Sequence, residues 1–267
     1  MPWNLRARWH AYTEIWESLW YGIWGFHLSA KNALLRRDYR ALFNIPRLLD
    51  AGFYWWYKTL NQYHIRYERS PSSPIPNLMS SASGVVLELG PGLGNQLLFY
   101  DRSKITRVVG VELNPLFVPD LRAEIDARGL VDVYEIISSG IEDEPVLERA
   151  GIVPGSVDTI VSTGVLCSVD RVDVVMKGLY GLLKPGGRFV FWEHHGSGDL
   201  VTRLVQRLWN PLWRPFIGGC NLTRDVKKII LAVGEWENVE SIMGDEQMKP
   251  WGLLPRVWGV LTKPGGK

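Results

Sequence analysis

From Val85 onward short apolar runs alternate with stretches of helical period, and that alternation restricts the possible folds more than any other feature of the chain. The runs Val85–Leu89, Arg107–Glu112, Val133–Ile137, Val157–Val161 and Arg188–Trp192 read as strands. Between them, Asn95–Asp101, Pro115–Arg128, Pro145–Ala150 and Arg171–Leu183 read as helices. Strand–helix alternation of this kind implies an α/β fold, a doubly wound, Rossmann-like parallel sheet. Two weaker runs, Val239–Met243 and Val257–Leu261, would close its edge and make seven strands.

Residues 1–69 are a different material. They hold 7 of the 13 Trp and 17 of the 31 aromatics, with ten Lys+Arg against five Asp+Glu. Residues 3–65 read as helical. Ile15, Trp16, Leu19, Trp20, Ile23 and Trp24 draw one broad apolar stripe. A second aromatic run, Phe53–Tyr57, follows Pro46, a good first-turn residue. The longest uncharged run, Ser18 to Ala30, is shorter than the ~20 residues a bilayer span needs. It is not a secretory signal, since acids precede it and no small-residue cleavage site follows. Two compatible readings remain: a helical cap over a ligand cavity, or a helix lying in a membrane interface, where Trp, Tyr and Arg sit well. Ser70–Gly84 reads as a linker by its Pro, Ser and Gly content, so the expected division is 1–69, 70–84 and 85–267.

Composition excludes several classes. At 46% hydrophobic the chain is not disordered as a whole, and a net charge of +2 gives no drive toward nucleic acid. Cys167 and Cys220 cannot make a disulfide framework or a closed zinc site by themselves, which suits a reducing compartment. The five histidines lack ligand-like spacing, so no metal is expected. Oligomeric state has no signature.

The strongest local signal is Glu88-Leu89-Gly90-Pro91-Gly92-Leu93-Gly94, after a strand and before a predicted helix. Such glycines let backbone turn tightly and approach a ligand. Glu112, at the tip of the next strand, is placed to accept both ribose hydroxyls of a nucleotide-like cofactor. A dinucleotide fingerprint would want its third glycine at Asn95, one place after Gly94. S-adenosylmethionine instead presents an ammonium, which Glu88 could accept; the competing role for Glu88 is to brace the loop.

The string Val86–Gly94 resembles the first motif of class I S-adenosylmethionine-dependent methyltransferases. Asp158–Val169 and Leu182–Phe189 are similar to that family's fourth strand with its loop and to its turn into the fifth strand. More narrowly, Val165–Val169, Phe191–His194 and Gly219–Arg224 resemble the membrane-associated thiol methyltransferases, the methyltransferase-like seven group. The resemblance implies a class I methyltransferase fold with an α-helical N-terminal extension, and S-adenosyl-L-methionine as cofactor. It implies that Gly90, Gly92 and Gly94 face the methionine and ribose, and that Glu112 holds the ribose. Thr163 and Val165 would border the methionine end. Gly140 stands where the family commonly has an adenine-contacting acid, so that contact would fall to backbone near Ile141 or to Glu142.

For the chemistry, His194 and His195 are the candidate bases, at the carboxyl edge of the sheet, with Glu193 able to orient one imidazole. A thiol ionises easily and needs a base less than a hydroxyl does. Trp209, Trp213 and Phe216 fall where such enzymes insert a substrate-covering helix, and Arg203, Arg207 and Arg214 read as a solvated face before a membrane contact. The expected function is methyl transfer to a small, apolar acceptor, thiol before hydroxyl. The alternatives are a methyltransferase fold repurposed for rearrangement or binding, and a nicotinamide oxidoreductase. The expected location is cytoplasmic, with peripheral contact through residues 1–69 on the cytosolic face of the endoplasmic reticulum or on lipid droplets.

Overall fold

The computed structural model describes residues 5–246 and 251–265. Trp3 and Asn4, expected to begin the helical stretch, lie outside the described residues. In chain order the elements begin with four helices: α1 (Leu5–Thr13), α2 (Ile15–Leu35), α3 (Tyr39–Leu42) and α4 (Ile45–Glu68). There follow α5 (Ile75–Ser80), β1 (Gly84–Leu89), β2 (Ile105–Val111), α6 (Val118–Ala127), β3 (Tyr134–Ile137), α7 (Glu144–Arg149) and β4 (Val157–Thr163). The chain closes with α8 (Val172–Leu182), β5 (Leu183–His194), α9 (Leu200–Phe216), α10 (Val226–Leu231), β6 (Met243–Gly244) and β7 (Arg256–Thr262). Two compact units result. One spans residues 1–62, 194–225 and 244–256 and is helical; the other spans 63–193, 226–243 and 257–267 and carries the sheet.

In the helical unit, α2 turns its small residues inward. Gly22, Gly25, Ser29 and Ala33 are buried, while Trp16, Trp20 and Trp24 are about half exposed. The reason is a crossing with α4 in which backbone meets backbone: a Cβ on Gly25 would lie 2.4 Å from the Gly52 carbonyl oxygen. Trp56 Nε1 locks the crossing by donating to Ser18 O at 2.9 Å. Helix α9 packs on the same helix through ring pairs, Trp16 with Trp209 at 5.7 Å and Phe26 edge-on to Phe216 at 5.8 Å.

In the sheet unit, seven strands run in the order β3-β2-β1-β4-β5-β7-β6. The pairs β1–β2, β1–β4, β2–β3 and β4–β5 are parallel. Strand order reverses between β1 and β4, and a crevice at the carboxyl ends of these strands is where open α/β sheets bind ligands. Alternate residues of each strand serve two cores. Leu87, Val109, Ile160 and Phe189 pack with Met176 and Leu179 of α8, and Val86, Val108, Val161 and Val190 pack with Met79 of α5 and Leu121 of α6. Burial on both faces is why these strands read as continuous apolar runs.

Three segments differ from their sequence reading. Ser70–Gly84 holds α5, and Ile75, Leu78 and Met79 are buried in the second core, so a stretch expected as a linker is part of the sheet unit. Its Pro and Ser residues supply the turn before the helix rather than a flexible spacer. Asn95–Asp101 makes only one 3-10 turn, Leu97–Phe99. Tyr100 leaves the turn with extended backbone and buries its ring beside Glu88, which ends the helix before it can propagate. Val239–Met243 is a 3-10 turn and a two-residue strand, because Asn238 (φ +62°) reverses the chain there.

Candidate functional site

The loop after β1 is built from three left-handed glycines. Gly90, Gly92 and Gly94 have φ of +51°, +57° and +78°. A Cβ on Gly90 would lie 2.8 Å from Val165 Cγ2, and one on Gly94 3.0 Å from Leu97 Cδ1. Side chains are excluded by strain and by space alike, which leaves a bare backbone cradle beside the loop after β4. Val165, expected at the methionine end of a cofactor, thus borders the glycine loop.

Glu112 follows β2 and is 5% exposed. Its Oε2 accepts from Gly92 N at 2.9 Å and its Oε1 from Asn114 N at 2.9 Å. Burial pushes its carboxyl up, and those two backbone donors pull it back part of the way. Each oxygen keeps a second acceptor direction for a hydroxyl. The carboxylate therefore fixes the loop and offers acceptors for a ribose.

Glu88 lies directly below, fully buried. Tyr134 donates to its Oε2 at 2.6 Å, and the Tyr100 hydroxyl lies against the same carboxyl. Burial raises its pKa to about 7, which the tyrosine donors only moderate. Its partners are the two tyrosines, one on β3 and one just past the 3-10 turn. A second buried acid was not found from the sequence. Glu68, at the end of α4, accepts from Gln96 Nε2 at 3.1 Å, and burial raises its pKa to about 7. The only hint was the polar pair Asn95-Gln96 at the start of a stretch that otherwise reads as an apolar helix.

The loop after β4 is organised by Glu193, which is 0% exposed. It accepts from Ser162 Oγ at 2.6 Å, Val165 N at 3.0 Å and Cys167 N at 3.4 Å. Its carboxylate holds the loop from Thr163 to Cys167 in place. Ile141 and Glu142 follow β3 and line a groove of 480 Å³ between α7 and α8, with Leu147, Ile152, Val174 and Val175. Glu142 folds back over its own loop, so that a Cβ on Gly140 would meet Oε1 at 2.6 Å.

His194 and His195 belong to the helical unit. His194 ends β5 with Nδ1 3.8 Å from Cys220 Sγ. The His195 backbone donates to Pro255 O at 2.9 Å, and its Nε2 lies 3.9 Å from Glu246 Oε1. Trp209 and Phe216, expected over a substrate, face α2, and Trp213 is 1% exposed.

The bare cradle, the strand-tip acid and the switch point fit a nucleotide-like cofactor. The loop leads into a single 3-10 turn, Leu97–Phe99. A family model for the methyltransferase domain matches residues 87–191. The chain is 31% identical over 194 residues to thiol S-methyltransferase TMT1B of Rattus norvegicus, an alignment covering 72% of each protein. It is 33% identical over 185 residues to the Homo sapiens TMT1B, covering 66% of this chain and 69% of the relative. An O-methyltransferase family protein from Burkholderia thailandensis shares the fold, with TM-score 0.55, 17% identity, and coverage of 83% of this chain and 61% of that one. The chain therefore belongs to the class I S-adenosylmethionine-dependent methyltransferases, in the family of the TMT1 enzymes, and S-adenosylmethionine is its cofactor.

Proposed function

We propose that this enzyme methylates a small, apolar thiol. The observation that carries the reading is the 31% identity, over 72% of the chain, to a protein described as a thiol S-methyltransferase. S-adenosylmethionine supplies an activated methyl group when bound. The protein's task is then to position the acceptor sulfur and exclude water. Gly90, Gly92 and Gly94 admit the methionine and ribose portions, and Glu112 accepts the ribose hydroxyls. Thr163 and Val165 border the methionine end, with Ile141 and Glu142 at the adenine edge. Glu88, held by Tyr134 and Tyr100 at the end of β1, is a positioning residue at the mouth of the loop. His194 takes the thiol proton at Nε2, with Nδ1 turned to Cys220; His195 is the second candidate. A thiol is far more acidic and more nucleophilic than an alcohol, so this proton transfer is a smaller aid than a hydroxyl acceptor would need.

Purified enzyme incubated with S-adenosylmethionine and an alkyl thiol tests the reading by product mass. A product heavier than the thiol by one methylene unit, with a phenol of similar size unmodified, is the expected result. A methylated phenol and unmodified thiol would overturn it. We also propose a cytoplasmic enzyme in peripheral contact with membrane, on the cytosolic face of the endoplasmic reticulum or on lipid droplets. The support is the exposed tryptophans Trp9, Trp16, Trp20 and Trp24 within residues 1–69. Among the described residues no helix is long and apolar enough to cross a membrane.

A further inference from the structure

Helix α9 is inside out. Thr202 and Gln206 are 0% exposed, whereas Leu200, Leu204, Leu208 and Leu212 are 81%, 56%, 70% and 54% exposed. These leucines recur every four residues and form a single ridge, with Val201 beside it. Its outward direction is fixed by the polar bonds on the opposite face. Gln206 accepts from Ser197 N at 3.0 Å and donates to Leu253 O at 3.0 Å. Thr202 and the capping Asp199 join Tyr12 and Arg8 of α1, with Asp199 gripped by both Arg8 nitrogens at 2.8 and 3.0 Å. Rolling the helix to bury the leucines would break all of these bonds and strand a buried amide.

Charge completes the pattern. Leu200–Phe216 contains Arg203, Arg207 and Arg214 and no acid. At ~100° per residue the three arginines fall together on one flank of the leucine ridge. The other flank meets α2, where Trp16 contacts Trp209 and Trp20 and Trp24 extend the exposed apolar strip. Leucine to enter the acyl boundary, tryptophan at headgroup depth and arginine beside them is the chemistry of a helix lying in an anionic lipid surface.

We infer that α9 is a lipid-docking helix, seated by Leu204, Leu208 and Leu212 and drawn to anionic headgroups by its arginine flank. This rests on the peripheral membrane contact proposed above, but assigns it to a helix far outside residues 1–69. The test is flotation of the full chain with phosphatidylcholine vesicles, with and without phosphatidylserine. The comparison is wild type against Leu204→Gln/Leu208→Gln/Leu212→Gln, and against the milder Leu208→Gln. Glutamine keeps helix propensity and these sites are exposed, so circular dichroism should be unchanged. Wild type should bind the anionic vesicles, with added salt weakening it. The triple variant should bind at least ~tenfold more weakly, and Leu208→Gln by a smaller factor.

Triple-variant binding equal to wild type would overturn the inference and leave the contact to residues 1–69. If wild type fails to bind either vesicle, both readings fall. A lipid-free wild-type dimer that the triple variant turns into monomer would show that a second copy, not lipid, covers the ridge, and would also overturn it.

Discussion

The two units treat polar groups in opposite ways. In the sheet unit, apolar residues fill both faces of the strands, and the buried acids Glu68, Glu88, Glu112 and Glu193 are concentrated around the glycine loop and the loop after β4. There the apolar pattern determines the fold, and its exceptions mark the site. In the helical unit, α2 buries glycines and shows tryptophans, and α9 buries Gln206 and shows leucines. Close backbone approach and polar bonds share the inner faces with Ile15, Leu19 and Trp213, so hydrophobicity alone does not decide which face is inside.

The largest effect should come from breaking the close approach. Gly25→Val would put a branched side chain against the Gly52 carbonyl, where even a Cβ stands at 2.4 Å. Overpacking against backbone cannot be relieved by a rotamer change, so a loss of ~3 kcal/mol or more is expected in urea unfolding. Valine tolerated at no cost would mean that the crossing is loose and that the contrast between the units is overdrawn. Next is Glu112→Ala. Losing the acceptor pair should weaken S-adenosylhomocysteine binding ~100-fold, ~3 kcal/mol, by calorimetric titration. Affinity within threefold of wild type would remove Glu112 from the site.

Glu88 sharpens the comparison through pH. Its folded pKa, about 7, lies above the ordinary 4.5, so its folded form favours the proton. The stability it contributes is full below about 4.5 and is lost as pH rises through about 7. Glu68 carries the same sign, with a folded pKa also of about 7. A raised pKa of this size corresponds to ~3 kcal/mol per group between the two limits. Glu88→Gln imitates the protonated carboxyl, accepting from Tyr134, and should flatten the decline by about that amount when unfolding is measured at pH 5 and pH 8. Parallel declines in the two proteins would mean that Glu88 is ionised in the fold at neutral pH.

How much of this was legible depends on whether a feature is periodic or positional. The strands, their order of appearance and the glycine loop with Glu112 follow from local pattern, and the structure has them. The seventh-strand edge was half legible, since Val257–Leu261 alternates into β7 while Asn238 breaks its neighbour. The failed helix at Asn95–Asp101 was set by a long-range partner: Tyr100 turns toward Glu88, twelve residues back and on another element. The buried face of α9 was illegible for the same reason, because Leu253 and Arg8 help choose it from distant segments, together with Ser197 just ahead of the helix. Pro and Ser concealed α5, whose three buried residues are spread among turn formers.

The smallest effects separate two ion pairs that look alike in a list of contacts. Arg8 and Asp199, in the helical unit, have side chains 10% and 29% exposed, and Asp199 also caps α9 through Thr202 N at 2.8 Å. The paired guanidinium holds the Asp199 carboxyl well below the usual carboxylate range. Arg102 and Asp132, in the sheet unit, are 49% and 66% exposed. Solvent screens such a pair and side-chain entropy offsets most of what remains. Asp199→Ala should therefore cost ~2 kcal/mol through the lost cap and the stranded arginine. Asp132→Ala should cost ~0.5 kcal/mol or less, and that small loss should vanish in high salt. Equal costs would mean that both pairs act as surface charges, and the polar network that sets the direction of α9 would be too weak to hold its leucines outward.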